Sequence, residues 1–137
     1  MRFMIIRKAD SDTEARAMPG MELVRDMMAY NEELAKAGVL RGGDGLRPSA
    51  DGARISFHAG RPTVTDGPFA EAKELIAGFT LIEVGSREEA LDWARRWPIS
   101  DGGGNVQLEL RQLVEPEDFG EEVAAELRAA YALLRPE

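Results

Sequence analysis

Gly78-Phe79-Thr80-Leu81-Ile82-Glu83-Val84-Gly85-Ser86-Arg87-Glu88-Glu89-Ala90-Leu91-Asp92-Trp93-Ala94-Arg95-Arg96-Trp97-Pro98 is the stretch from which the fold can be read. Residues 78–84 are rich in β-branched and aromatic side chains, which fit a pleated, half-buried surface, so they predict a strand. Ser86 followed by Glu89 makes a capping box, where each side chain answers the other's free backbone N–H. A helix therefore starts there and runs through Trp97, where Pro98 stops it. Gly102 to Gly104 gives a flexible connection. Val106, Leu108 and Leu110 then alternate with Gln107, Glu109 and Arg111, the period of a strand with one apolar face.

The same strand–helix–strand order recurs upstream. In Arg2 to Arg7, Phe3 and Ile5 lie on one side and Met4 and Ile6 on the other, as in a central strand. Pro19 and Gly20 punctuate the chain, and from Met21 to Ala37 the residues Val24, Met27, Met28, Leu34 and Ala35 recur at helical spacing. Gly38 stands where a C-cap belongs. Asn31 shares that stripe and, with Tyr30, is read as a packing residue. From Val39 a short strand enters a glycine-rich loop, and strands at 53–58 and 63–65 flank a turn at Gly60–Pro62. Phe119, Val123, Leu127, Ala130, Tyr131 and Leu134 mark a terminal amphipathic helix. Two strand–helix–strand halves with a hairpin between them predict an α+β fold: a ferredoxin-like antiparallel sheet with helices on one face, plus a C-terminal helix. Such a sheet leaves its other face bare, and a second copy of the chain is expected to cover it as a homodimer.

Composition narrows the function. The chain has 25 acidic and 17 basic residues in 137, a formal charge of −8. Nucleic acid and anionic membrane need clustered positive charge, so neither is expected as a partner. The absence of cysteine rules out disulfides, thiolate metal sites and a Cys nucleophile. A single histidine rules out the usual multi-His zinc site and leaves only an all-carboxylate Mg²⁺ site; no metal or cofactor is expected. The apolar run Phe3–Ile6 is too short for a signal peptide or a membrane span, so the expected location is cytoplasmic.

Thr65-Asp66-Gly67-Pro68-Phe69-Ala70-Glu71-Ala72-Lys73-Glu74, then Gly78 to Val84, then Glu89-Ala90-Leu91-Asp92-Trp93-Ala94, resembles the signature of the DGPF subgroup of YCII-related proteins. The resemblance runs from about Arg2 to Val114, so the chain divides into a YCII-related domain at 1–114 and a helical extension at 115–137. It implies a dimeric α+β barrel in which two sheets face each other. It also implies genes often placed beside extracytoplasmic-function sigma factors, and relatives of which some act on small aromatic compounds. Other branches carry a His–Asp pair with the histidine early in the first helix. That helix has no histidine here, and His58 lies on a later strand, so the chemistry of those branches does not carry over.

Each candidate site has a structural reading beside the functional one. Asp66 is either a proton acceptor or the anchor of an Asp-Gly-Pro turn. Lys73, among Glu71, Glu74 and Asp66, is either the stabiliser of a developing anion or part of a solvated charge cluster. His58 is a lone base at a strand end, or a partly exposed strand residue. Arg7, Glu83, Glu109 and Arg111 are placed in the barrel lumen, as ligand contacts or as partners of one another, with Arg7 or Arg111 as a substrate clamp. The first function is thus an enzyme-like small-molecule binder with Asp66 and Lys73 as catalytic residues and Arg7, His58, Glu71, Glu83 and Arg111 as ligand contacts. The alternative is a non-catalytic regulatory or ligand-sensing protein whose acidic surface docks on a basic partner such as a sigma factor.

Overall fold

The computed structural model describes residues 1–134. Six strands and four helices follow one another as β1 (Arg2–Lys8), α1 (Ser11–Glu14), α2 (Met21–Lys36), β2 (Leu40–Gly45), β3 (Ala53–His58), β4 (Arg61–Asp66), β5 (Ile76–Glu83), α3 (Arg87–Arg95), β6 (Leu108–Gln112) and α4 (Glu121–Leu134). Four strands form one antiparallel sheet in the order β2-β5-β1-β6. With the β3–β4 hairpin set aside, this is the ferredoxin-like order that the two strand–helix–strand halves predict. The hairpin forms a sheet of its own, in which Ile55 faces Val64 and Phe57 faces Pro62.

The alternation of β1 decides what lies where. Phe3, Ile5 and Arg7 are buried while their neighbours are only partly covered. Phe3 stands opposite Ile82, and Ile5 opposite Thr80 and Leu110. Phe3, Ile5, Ile82 and Val84 meet Tyr30 and Leu34 of α2 and Ala90 of α3, so α2 and α3 both lie on this face. Helix α3 begins where expected, with Ser86 Oγ accepting from the Glu89 N–H at 3.1 Å, but the box is not reciprocal: Glu89 accepts from the Gly85 N–H at 3.0 Å instead of that of Ser86. Gly38 follows α2 at φ +76°, a conformation in which a Cβ is strained. Tyr30 donates its hydroxyl to the Trp93 carbonyl at 2.7 Å and so ties α2 to α3.

The opposite parity carries Met4 and Ile6, facing Leu81 and Phe79, and is flanked by Glu83, Glu109 and Arg111. The single turn α1 has no apolar periodicity and was not expected. Asp10 and Thr13 build it with a reciprocal cap, each side chain accepting the other's backbone N–H at 2.9 Å. Helix α4 does form, but the stripe expected of it needs correcting. Ala124 is its buried residue, whereas Val123 and Leu134 are exposed. Leu127, Ala130 and Tyr131 are half-buried, so the middle of the expected stripe does face the domain while Val123 and Leu134, toward its ends, stay in solvent.

Candidate ligand cleft

Arg7 continues the buried parity of Phe3 and Ile5, so a charged group sits where the strand pattern calls for an apolar one. Its guanidinium must be paired there, because an isolated buried charge is costly. Asp101 supplies the partner: Nε and Nη2 of Arg7 donate to its two carboxylate oxygens at 3.0 and 2.8 Å. Nη1 donates to Asp10 at 2.8 Å and to the Lys8 carbonyl at 2.7 Å. Trp97 Nε1 adds a further bond to Asp101 at 2.9 Å. The fork geometry of Arg matches a carboxylate in this way and a lysine would not.

These contacts set the charge states. The hydrogen bond to Asp101 holds Arg7 well above its ordinary value, against the opposing effect of burial. Burial pushes the Asp101 carboxyl up, but the bonds from Arg7 and Trp97 outweigh it and leave it below the usual carboxylate range. Asp10 is lowered too, chiefly by the Thr13 N–H and then by Arg7. With most of its five N–H groups already committed, Arg7 is a positioning residue rather than a free clamp.

This network forms part of the lining of a cleft of about 1200 Å³ between α2, the loop holding α1, and the β2–β5 edge of the sheet. Leu23, Met27, Leu40 and Trp97 supply apolar wall. Strand β2 contributes Gly42, Gly43 and Gly45, so the edge there is mostly bare backbone. Asp12, Glu22 and Asp44 stand exposed in the lining, without an ion pair among the described residues, whereas Arg16 and Arg47 both reach Asp51.

Of the candidate site residues named from the sequence, only Arg7 lies in this cleft. Asn31, read as a packing residue, is instead exposed and also lines it, whereas Tyr30 is buried as read. Arg7 is on the helix face of the sheet, while Glu83, Glu109 and Arg111 belong to the opposite parity, so the four do not share one lumen. Glu83 approaches Arg41 at 3.8 Å, and Glu109 approaches Arg111 at 3.4 Å. His58 is exposed at the end of β3, opposite Arg61. Asp66, Glu71 and Lys73 are exposed, and among the described residues Asp66 and Lys73 make no ion pair.

The Asp-Gly-Pro-Phe turn is held by its backbone. The Gly67 N–H donates to the Gly52 carbonyl at 2.9 Å, and the Phe69 N–H to Ser49 Oγ at 3.0 Å. Glu14 of α1 in turn accepts the Ser49 N–H at 2.7 Å. A Cβ on Gly67 would stand 1.7 Å from the Ser49 carbonyl oxygen, so only glycine fits. Arg54 lies 3.9 Å over the Phe69 ring.

Sequence reading missed Asp10, Trp97 and Asp101 as a group. The available signal was Arg7 itself, since a charge on the buried parity requires a carboxylate from elsewhere in the chain. Among the described residues no group of His, Asp and Glu converges to hold a metal ion, and no helix is long and apolar enough to cross a membrane.

The fold and the cleft define a ferredoxin-like α+β domain with a preformed pocket beside its glycine edge. The YCII-related domain matches residues 1–113, and the chain belongs to that family. An uncharacterised protein of Rhizobium meliloti is 42% identical over 73 residues, which is 53% of this chain and 59% of that relative. The chain therefore spans less than two thirds of the relative's length. Among solved structures, the 5-chloro-2-hydroxyhydroquinone dehydrochlorinase of Burkholderia phenoliruptrix, in complex with 2,5-dihydroxybenzoquinone, is 16% identical. That likeness covers 88% of this chain and 100% of the other, at a TM-score of 0.47.

Proposed function

We propose that this chain binds a small molecule with an apolar body and hydrogen-bond donors in the cleft beside β2. The observation that carries the reading is the combination of a large open cleft, apolar walls and a fixed polar network. The cleft, at about 1200 Å³, is roomy enough for an ordinary ligand. Most donors of Arg7 are already committed to Asp101, Asp10 and Lys8, so the network holds the shape of the site before anything binds. Asp10, Asp12, Glu22, Asp44 and Asp101 outnumber Arg7, Arg16 and Arg47 in the lining. An anionic ligand is disfavoured by that excess, and a neutral or cationic donor is favoured. The bare sheet face carries a second part of the proposal: Met4, Ile6, Phe79 and Leu81 are covered by another copy, giving a homodimer.

A thermal-shift panel of small phenols, catechols and aromatic amines tests the cleft. At least one compound should raise Tm saturably, as any ligand specific for the folded state does. Leu23→Trp, which fills the cleft from α2, should abolish the shift while leaving the circular dichroism unchanged. Equal shifts in both proteins would put the binding elsewhere.

A further inference from the structure

Residues 11–20 form a strap along one wall of the cleft, with Asp12, Thr13 and residues 16–20 in its lining. No residue of the strap is buried, and only Thr13 and Glu14 are half-covered. A segment with so little buried apolar surface belongs to the low end of local stability, so polar tethers must hold it in place. Arg16 adds a demand of its own, because its φ of +60° lies in the left-handed region that a side chain disfavours.

The tethers run to the single turn at Ser49–Asp51. Glu14 accepts the Ser49 N–H at 2.7 Å and the Ser49 hydroxyl at 2.5 Å, both partly buried. Two residues further on, Arg16 Nη1 donates to Asp51 at 2.7 Å, and Nη2 donates to its other carboxylate oxygen. That pair is exposed and contributes little by itself. The Glu14–Ser49 contact is therefore the main tether.

Ser49 is itself oriented by the Asp-Gly-Pro-Phe turn. A hydroxyl has one proton to give. The Phe69 N–H donates to Ser49 Oγ at 3.0 Å, so the hydroxyl proton is directed at Glu14. Gly67 lies so close that a Cβ there would stand 1.7 Å from the Ser49 carbonyl oxygen, and its N–H donates to the Gly52 carbonyl at 2.9 Å. None of residues 66–69 lines the cleft, yet they fix the residue that holds its wall.

We propose that Ser49 is a positioning residue that joins the Asp-Gly-Pro-Phe turn to the ligand cleft. The turn fixes the Ser49 hydroxyl, the hydroxyl holds Glu14, and Glu14 keeps the strap against the cleft. The tether itself needs no ligand; its effect on binding rests on the proposed function.

Trypsin reads the strap directly, because cleavage after Arg16 requires that side chain to leave Asp51 and the backbone to extend. Where reclosing outruns cleavage, the rate follows the population of the open form. Ser49→Ala removes the hydroxyl and keeps the backbone N–H bond to Glu14. Cutting after Arg16 should then rise about tenfold, as expected for a lost hydrogen bond to a charged group. Glu14→Ala, which alters the strap alone, should raise it at least as much, and the double variant no further, since both act on one contact. Cutting elsewhere should keep its parent rate. The strongest compound of the thermal-shift panel should slow the cut in the parent and bind Ser49→Ala about threefold or more weakly. Ser49→Thr, which keeps the hydroxyl, should restore both. A parent-like rate after Arg16 in Ser49→Ala and Glu14→Ala, or faster cutting at every site together, would overturn the tether. A loosened strap with parent-like affinity would overturn the positioning role and leave the proposed function standing. A loosened strap in a protein to which no compound binds would sink the proposed function and leave the tether.

Discussion

Asp101→Asn removes one charge from the buried network and almost no volume. Oδ2 of Asp101 accepts both Arg7 Nε and Trp97 Nε1, while Oδ1 accepts Arg7 Nη2 at 2.8 Å. An amide keeps one acceptor and turns the other position into a donor facing a donor. Breaking a buried pair from one side typically costs about 3–5 kcal/mol. Arg7 retains Asp10 and the Lys8 carbonyl, so the lower end applies, about 3 kcal/mol, or roughly 10 °C in Tm for a domain of this size. Urea unfolding at pH 7 and matched protein concentration measures it. Arg7→Met/Asp101→Leu should be more stable than Asp101→Leu alone, because apolar replacement of both partners removes the stranded charge. A loss under about 0.5 kcal/mol for Asp101→Asn, or no recovery in the double variant, would refute the network as the support of the cleft. The pH dependence has a definite sign. Burial raises the Asp101 carboxyl, but Arg7 and Trp97 bring it below its ordinary value in the folded state. Its stabilisation is therefore complete above that value and lost as pH falls through the folded pKa, and Asp101→Asn should flatten the acid limb of the stability curve.

Burial pushes the Tyr30 hydroxyl up to about 12 from 10.0, so its contribution is full below pH 10 and lost as pH rises toward 12. Tyr30→Phe should cost about 1 kcal/mol at pH 7 and reduce that alkaline loss, read by urea melts across the range. Gly67→Ala should cost about 2–3 kcal/mol, since its Cβ would meet the Ser49 carbonyl, while Asp66→Asn should leave Tm unchanged. A lost ligand response in Asp66→Asn with folding intact would instead make that carboxylate functional. Deleting residues after Val114 removes the Arg2–Glu115 pair and α4, and should lower Tm without changing affinity for any compound the cleft takes. Light scattering at micromolar concentration should give twice 15.0 kDa.

The strands and long helices were legible because their signals are local. Ser86 caps α3 as its spacing with Glu89 implies, and the two apolar parities of β1 mark the central strand that it is. The cleft was not legible, because it is assembled from distant segments. Asp101 lies 94 residues from the Arg7 it pairs with, in a glycine-rich connection that reads only as flexible. Helix α1 is a single turn without a stripe, so its cap at Asp10 and Thr13 reads as loop. Asp66 and Lys73 drew attention as polar residues in a dense motif, but the motif's contacts run through the backbone of Gly67 and Phe69 onto Gly52 and Ser49.

A crystal structure with the strongest hit from the phenol, catechol and amine panel tests the central claim most directly. Ligand density is expected against Leu23, Met27 and the Gly42–Gly45 edge, with the Arg7–Asp101 pair unbroken beside it. Density on the face of Met4 and Phe79, or at the turn of Asp66, with the cleft holding solvent alone, would contradict it.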